Sequence, residues 1–289
     1  MALHPITIPV GPLTFDAVSA GPADGPPVLL LHGFPESSWS WRTVQPVLAA
    51  AGYATLAPDL RGYSPDARPT EPEAYRMDVL VQDVLDLADA MGWEGFHLVG
   101  HDWGGALAWQ TAGRHPERVL TLAVVSTPHP QALADAKAAG AGADGDDQAA
   151  RSSYMATFRE PGSEALFLAD DHAAFRLGMA AAGMADEDIE HYVARFPDEA
   201  AMQGALNWYR GADPADAAGC GPITMETLYV WSTEDIALGR RAAEGTAAHI
   251  VGPYRFVELE GVSHWIPEEA PEELAELLLD HLAPGFERT

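Results

Sequence analysis

The sequence predicts an α/β fold in which a mostly parallel sheet is covered by helices on both faces and is interrupted by one helical insertion. Short apolar runs alternate with amphipathic helical patterns along most of the 289-residue chain. Such alternation is typical of parallel sheets, because their strands are joined by helical crossovers. The alternation stops between about residues 130 and 222, where helical patterns and a low-complexity stretch take its place.

Eight strands are predicted along the chain. Two opening strands come first, and the six later runs are largely apolar, as expected of strands that are buried on both faces of a sheet. In chain order the strand sequences are ITIPV, LTFDAV, PVLLLHG, YATLAPD, FHLVGH, VLTLAVVS, TLYVWST and YRFVELE.

Two helices of the sheet layers are also clear. The spacing of Leu80, Val84, Leu87 and Met91 places them on one face of an amphipathic helix before FHLVGH. Residues 271–282 (PEELAELLLDHL) predict the last helix. Its first turn holds a proline and two acids, which suit a helix N-terminus, and its leucines form an apolar stripe.

We expect a core domain formed by residues 1–129 and 222–289, with a helical cap at residues 130–221 inserted into it. Within the cap, about residues 136–150 are rich in Ala, Gly and Asp and predict a flexible loop. Residues 140–145 (GAGADG) match the glycine pattern of dinucleotide-binding loops, but no strand precedes them and acids surround them. The pattern therefore does not predict a dinucleotide cofactor.

The charge balance argues against polyanionic partners. The chain has 16 basic and 43 acidic residues, a formal net charge of −27, which repels nucleic acid and anionic lipid. No apolar run approaches the roughly 18 residues that a membrane span needs, and no secretory signal is visible. With Cys220 as its single cysteine, the chain is expected in the cytoplasm. Its oligomeric state stays open between monomer and homodimer.

No metal site is predicted. His97 and His101 are four residues apart, but they lie on a strand and its following turn, whereas a shared ion at this spacing needs one helix face. No motif of a phosphate-binding loop, a Cys-x-x-Cys pair or a His-Glu-x-x-His helix occurs. We therefore expect neither a metal nor a cofactor.

The candidate nucleophile is Asp102, in residues 100–104 (GHDWG) between a predicted strand and a predicted helix. Many hydrolases place a serine at the centre of this glycine-flanked turn. An aspartate, with an unperturbed pKa of about 3.9, is ionised at neutral pH without any base. A carboxylate can displace a good leaving group at sp³ carbon, such as an epoxide oxygen or a halide, and so form an alkyl ester.

Hydrolysis of that ester needs a base, an orienting acid and donors for the oxyanion. His264, in GVSHW after the last predicted strand, fits the chain order of nucleophile, acid and histidine. The acid should follow TLYVWST, where Asp235 is favoured and Glu234 is the alternative. The backbone N–H groups of Phe34 and Trp103 are the predicted oxyanion donors.

The chain resembles the epoxide hydrolases of the α/β-hydrolase fold over about residues 26–283. The stretches that carry the resemblance are HGFPESSWSWR, DLRGY, GHDWGGALAW, STPHP, WSTED and GVSHW. The resemblance implies that fold with an inserted cap. It also matches Tyr154 and Tyr209 to the two phenols that activate the epoxide oxygen in that family. The expected small-molecule substrate is an apolar epoxide, bulky or aromatic, contacted by Phe34, Trp103, Tyr154, Trp208 and Tyr209.

The chain departs from the family pattern at two positions. Ser64 stands where the family often has glycine after RGY, and Ser232 stands where a glycine is common before the acid. Neither residue belongs to the predicted catalytic set. Both indicate a divergent branch with its own substrate.

Three other functions fit the sequence less well than epoxide hydrolysis does. A haloalkane dehalogenase shares the nucleophile and fold, but resemblance to that family would favour Asn in place of Phe34 and would leave the two cap tyrosines unused. Haloacetate dehalogenases would carry Arg in place of Trp103. A non-catalytic binding protein does not need an intact Asp–His–Asp set. The sequence therefore predicts an epoxide hydrolase that forms a vicinal diol through an ester on Asp102, with a haloalkane dehalogenase as the alternative.

Overall fold

The computed structural model describes residues 2–142 and 145–283. One eight-stranded sheet runs through them, in the order β1-β2-β4-β3-β5-β6-β7-β8. The strands are β1 His4–Val10, β2 Leu13–Ala20, β3 Pro27–Leu31, β4 Ala54–Pro58, β5 Phe96–His101, β6 Val119–Val125, β7 Glu226–Ser232 and β8 Tyr254–Leu259. The pairs β1–β2 and β2–β4 are antiparallel, and the other five neighbouring pairs of the sheet are parallel. The predicted mostly parallel sheet is confirmed.

Helices occupy both faces of the sheet and the connection between β6 and β7. They are α1 Val44–Ala50, α2 Met77–Ala90, α3 Trp103–Arg114, α4 Pro130–Ala139, α5 Gln148–Arg151, α6 Met155–Arg159, α7 Glu164–Ala181, α8 Asp186–Val193, α9 Glu199–Gly211, α10 Asp216–Gly219, α11 Arg240–Gly245, α12 Ile266–Glu269 and α13 Pro271–Leu282. Short 3₁₀ turns lie at Ser38–Trp41, Pro65–Ala67, Pro72–Tyr75 and Thr246–His249. The helical path of α7 is interrupted at residues 169–172.

The central strands are apolar on both faces because each face packs on helices. In β3, Val28 and Leu30 belong to one buried cluster, while Leu29 and Leu31 belong to the other. Helices α2 and α3 contribute to the cluster of Leu29, and α1 and α13 contribute to the cluster of Val28. Each fully buried side chain of this size contributes about 1.5–3 kcal/mol. This packing fixes the sheet edge where the candidate site lies.

Residues 130–221, which we call the cap segment, leave the sheet after β6 and return before β7. In its described part the segment holds helices α4 to α10 and no strand. Its rings contact the ends of β3 and β5: Phe158 lies 5.3 Å from Phe34, and Tyr209 lies 5.1 Å from Trp103, between ring centroids. The cap segment therefore covers the carboxyl edge of the sheet. The division of the chain into a core domain and a cap domain stays a prediction.

The predicted loop at residues 136–150 needs correction, since the segment is helical at both ends. Helix α4 continues to Ala139, and α5 begins at Gln148, where the Asp147 side chain accepts a hydrogen bond from the Ala150 N–H at 3.1 Å. Alanine is the best helix former, so an alanine-rich stretch extends a helix where it finds packing partners. Residues 143 and 144, inside the GAGADG stretch, lie outside the described residues.

No helix in the described ranges is both long enough and apolar enough to cross a bilayer.

Candidate active site

Asp102 occupies a sharp turn between the end of β5 and the start of α3. Its φ of 48° and ψ of −117° lie in a region that non-glycine residues rarely adopt. The turn is held because the Thr127 hydroxyl donates to the Asp102 carbonyl at 2.7 Å. A Cβ at Gly104 would lie only 2.3 Å from the carbonyl oxygen of Leu31, so glycine is required for α3 to pack this closely on β3. This geometry is that of a nucleophile elbow.

Two groups contact the Asp102 carboxylate. The Phe34 N–H donates to Oδ1 at 2.8 Å, and His264 Nε2 lies 3.6 Å from Oδ2. Burial alone would raise the pKa of Asp102, but hydrogen bonding to His264, the positive charges of His264 and His101, and the Phe34 N–H together lower it. The carboxylate is therefore ionised. Trp103 begins α3, so its N–H has no partner within the helix and is available to an oxyanion beside Asp102.

His264 is oriented by Asp235. Its Nδ1–H donates to Asp235 Oδ2 at 2.7 Å. The other carboxylate oxygen of Asp235 accepts from the N–H groups of Ala237 at 2.8 Å and Leu238 at 2.9 Å, so the acid is fixed in the loop after β7. Glu234 is exposed to solvent. Of the two predicted acids, the structure thus brings Asp235 to the histidine.

The resting site holds a charged histidine between two carboxylates. Burial alone would lower the pKa of His264, but the charge of Asp235 and contact with both Asp102 and Asp235 raise it well above the usual value. The Asp102 charge is one of these causes, so conversion of Asp102 to a neutral ester would remove it. The pKa of His264 would then fall at the stage when a base is needed.

The two predicted phenols lie close together in the cap segment. Tyr154 precedes α6 and Tyr209 lies on α9, with ring centroids 6.4 Å apart. Tyr209 is 3% exposed, whereas Tyr154 is 37% exposed because it lines an open cavity. Loss of hydration around each hydroxyl raises the pKa of both phenols, and the charge of Asp102 raises both pKa values further. Both hydroxyls therefore stay protonated at neutral pH and can donate hydrogen bonds.

A cavity of about 340 Å³ joins these groups. Asp102, His264, Tyr154 and Tyr209 line it, and most of its remaining wall is apolar. The apolar lining includes Phe34, Pro35, Phe158, Phe167, Phe175, Met179, Ile236 and Trp265. Its size lies at the lower end of the range for small-molecule sites. The arrangement can hold an apolar molecule against a carboxylate, a charged histidine and two phenol donors.

Trp103 and Trp208, which the sequence predicts to contact the substrate, are not among the residues that line the cavity. Trp208 is 1% exposed, and its Nε1–H donates to the Arg61 carbonyl at 2.7 Å. The Trp103 ring packs edge-on against Tyr209 with centroids 5.1 Å apart. The Trp208 indole therefore lies behind the cavity wall. Phe34, Tyr154 and Tyr209 do line the cavity, as the sequence predicts.

Sequence reasoning missed a buried polar network behind the nucleophile. The Glu36 carboxylate, fully buried, accepts from the Gly33 N–H at 2.7 Å and contacts His101 Nδ1 at 2.9 Å. His101 Nε2 lies 2.9 Å from the His264 carbonyl, to which it donates. Glu36 thereby links the turn that carries Phe34, the strand end that carries Asp102 and the loop that carries His264. The one available signal was the position of Glu36 in HGFPE.

Helix α5 of the cap segment holds the loop of the orienting acid. The Gln148 side-chain amide donates to the Ala237 carbonyl at 2.8 Å, and its oxygen accepts from the Gly239 N–H at 2.7 Å. Arg151 Nη1 donates to the Asp235 carbonyl at 2.8 Å, and its Nε donates to Asp146 at 2.9 Å. The cap segment and the acid loop are therefore tied at the cavity edge, a few residues before the Tyr154 phenol.

In the described part of the chain, no group of three or more His, Cys, Asp or Glu side chains is placed to hold a metal ion. His97 Nδ1 is hydrogen-bonded to the Thr121 hydroxyl at 2.8 Å, and both ring nitrogens of His101 are engaged by Glu36 and the His264 carbonyl.

The parallel sheet, the aspartate elbow and the histidine loop define the class of protein. Residues 26–271 match the model of the α/β hydrolase fold family, so the chain belongs to that family. Within it, the chain belongs with the epoxide hydrolases, because its identity to several of them extends over most of both chains.

Epoxide hydrolase A of Mycobacterium tuberculosis is 34% identical, with 92% of each chain covered. Epoxide hydrolase 4 of Mus musculus is 33% identical over 90% of this chain and 74% of the mouse protein. A solved structure described as a novel epoxide hydrolase from metagenomes of hot environments superposes with a TM-score of 0.83. It is 30% identical and covers 99% of this chain and 100% of its own.

Proposed function

We propose that this chain converts an apolar epoxide to a vicinal diol, with Asp102 as the nucleophile and His264, oriented by Asp235, as the base. The observation that carries the proposal is the cavity in which an ionised carboxylate faces two protonated phenols. An epoxide needs these two kinds of group at once. A carboxylate must attack carbon while O–H donors hold the oxygen that leaves.

Ring opening is the first step. Oδ1 of Asp102 is held by the Phe34 N–H, which leaves Oδ2 as the attacking oxygen. The bond from Oδ2 to a ring carbon forms as the bond from that carbon to the epoxide oxygen breaks. A phenol of Tyr154 or Tyr209 gives its proton to the departing oxygen, which becomes a hydroxyl. The product is an alkyl ester on Asp102 and one phenolate.

The proton of His264 then restores the phenol. Ester formation removes the negative charge of Asp102, which is one reason that the pKa of His264 is raised in the free protein. The imidazolium becomes a stronger acid, and its proton passes to the phenolate. The neutral ring that remains, with Nδ1–H on Asp235, presents a free Nε2 toward the ester.

Hydrolysis completes the cycle. His264 Nε2 takes a proton from water as the water oxygen attacks the ester carbon of Asp102. The N–H groups of Phe34 and Trp103 stabilise the oxyanion on Oδ1, an effect whose loss typically costs about 10²–10³ in rate per donor. The intermediate collapses, and the diol oxygen takes the proton from His264. The proton left on Asp102 returns to His264, which restores the starting ion pair.

The test compares the products of two reactions. The purified chain is incubated with styrene oxide and, separately, with 1-bromohexane, and diol and bromide are measured. The proposal expects diol and no bromide. The control is Asp102→Asn, since Asn tolerates positive φ but carries no charge, and it should form no diol. Bromide release without diol, or diol formation that survives the substitution, would reject the proposal.

A further inference from the structure

Gly178 lies in the interior of α7, where glycine is less favourable than alanine because it loses more conformational freedom on folding. One explanation of a helical glycine is a neighbour that lies too close to admit a Cβ. Among the described residues Gly178 has no such neighbour, because a Cβ built there meets no heavy atom within 4 Å. Its φ also lies outside the left-handed region. Neither packing nor backbone geometry accounts for glycine at this position.

The open space at Gly178 belongs to the active-site cavity. Gly178 lines the cavity and is exposed to solvent, as is Ala174 one turn earlier. Ala182, one turn later, also lines it. Ile236, from the loop that carries Asp235, lines the same cavity and is 54% exposed. The cavity therefore runs from the catalytic groups to solvent along this face of α7.

The wall of this passage is apolar. The side chains that line the cavity include Phe158, Phe167, Phe175 and Met179. Besides Asp102 and His264, the one charged side chain that the described residues contribute to the lining is Arg151, which is paired with Asp146 and hydrogen-bonded to the Asp235 carbonyl. A hydrocarbon chain can lie along this wall without burying an unpaired charge.

We propose that Gly178 is a specificity-determining residue, and that the chain takes epoxides with one extended apolar substituent that passes Gly178 on its way to solvent. This inference rests on the proposed function. It adds a substrate class: a terminal epoxide whose ring lies at Asp102 and whose alkyl or aryl-alkyl tail fills the passage. Each methylene buried there should raise kcat/KM by about fourfold, the equivalent of the usual transfer free energy of a methylene.

The test compares a short and a long substrate with the same reacting group, 1,2-epoxybutane and 1,2-epoxydecane. In the wild type, kcat/KM for diol formation should be higher for the long epoxide. Gly178→Leu fills the passage, and the helix tolerates it because leucine is a good helix former and its Cβ meets nothing among the described residues. If the new side chain displaces about three methylenes of the tail, kcat/KM for the long epoxide should fall by about 60-fold. The short epoxide should change by less than about twofold.

The matched control is Ala180→Leu, which adds similar bulk to the same helix at an exposed position that does not line the cavity. It should leave both substrates unchanged. An equal loss on both substrates in Gly178→Leu, or no loss on the long one, would overturn the inference while leaving the proposed function intact. If the wild type formed diol from neither epoxide, the proposed function itself would fail.

Discussion

Replacement of Asp235 by asparagine separates the two chemical steps that the site is proposed to perform. In the Asp235→Asn variant, the side-chain oxygen can still accept from the N–H groups of Ala237 and Leu238, so the loop should keep its shape. The new amide nitrogen would then face His264 Nδ1, where the carboxylate oxygen of the wild type lies at 2.7 Å. An amide N–H donates, so Nδ1 must accept, and the single proton of the neutral ring moves to Nε2.

In the Asp235→Asn variant the proton of the neutral His264 ring therefore lies on Nε2, the atom that must accept a proton from water. A hydrogen bond to a charged group contributes about 1.5–3 kcal/mol, and loss of the Asp235 charge also lowers the pKa of His264, since this charge is the largest of the causes that raise it. The corresponding change in a Ser–His–Asp site lowers kcat by about 10⁴. We expect kcat for diol formation to fall by about 10³–10⁴, while ring opening by Asp102 continues.

The assay is rapid mixing of Asp235→Asn with excess epoxide, followed by quenching and intact-protein mass spectrometry. The variant should accumulate a species heavier by the mass of the epoxide within the first turnover. The control is Glu234→Gln, which changes the exposed neighbouring acid and should behave as the wild type. Normal turnover in Asp235→Asn, or accumulation of ester in Glu234→Gln instead, would refute the assignment of the orienting acid.

Three further predictions concern the phenols and the buried carboxylate. Either Tyr154→Phe or Tyr209→Phe should slow ring opening by about 10²-fold or more, and the double variant should form no alkyl-enzyme; unchanged single-turnover rates in the double variant would exclude the phenols. The pH dependence of ring opening is best measured in His264→Gln, in which the histidine cannot titrate. Because the phenol pKa values are raised, the donors stay protonated and the rate should not decline as the pH rises through 10, the ordinary pKa of tyrosine; a decline below pH 10 would contradict this. Glu36→Gln should lower the free energy of unfolding by about 2 kcal/mol, since it removes the charge that contacts His101, and denaturant titration showing no change would contradict it.

The central sheet could be predicted because its signal is local. A few consecutive residues are enough to show the apolar run of a buried strand such as β3. The same holds for the amphipathic stripe of a helix such as α13. The strand order was not predicted, because pairing depends on contacts between distant segments. The helical ends of the 136–150 segment were missed for a related reason: the composition that predicts a loop there is also compatible with a helix that finds a partner.

Residues of the candidate site could be predicted where the proposed chemistry restricts the residue type at a recognisable turn, as for Asp102 and His264. The sequence favours Asp235 but does not exclude Glu234, because adjacent residues point in different directions and only the fold decides which one is buried. Trp208 was placed in the cavity by its residue type alone, whereas its position on α9 turns the indole away. The link from Glu36 through His101 joins segments 65 and 163 residues apart, beyond the reach of local patterns.

The proposed covalent ester at Asp102 is tested most directly by one turnover in water enriched in ¹⁸O, with enzyme in excess over epoxide. We expect the diol to carry an unlabelled oxygen from the carboxylate, and mass spectrometry of the peptide that contains residue 102 to show one ¹⁸O in the side chain. Direct appearance of the heavy isotope in the first diol formed, with an unlabelled peptide, would contradict the account.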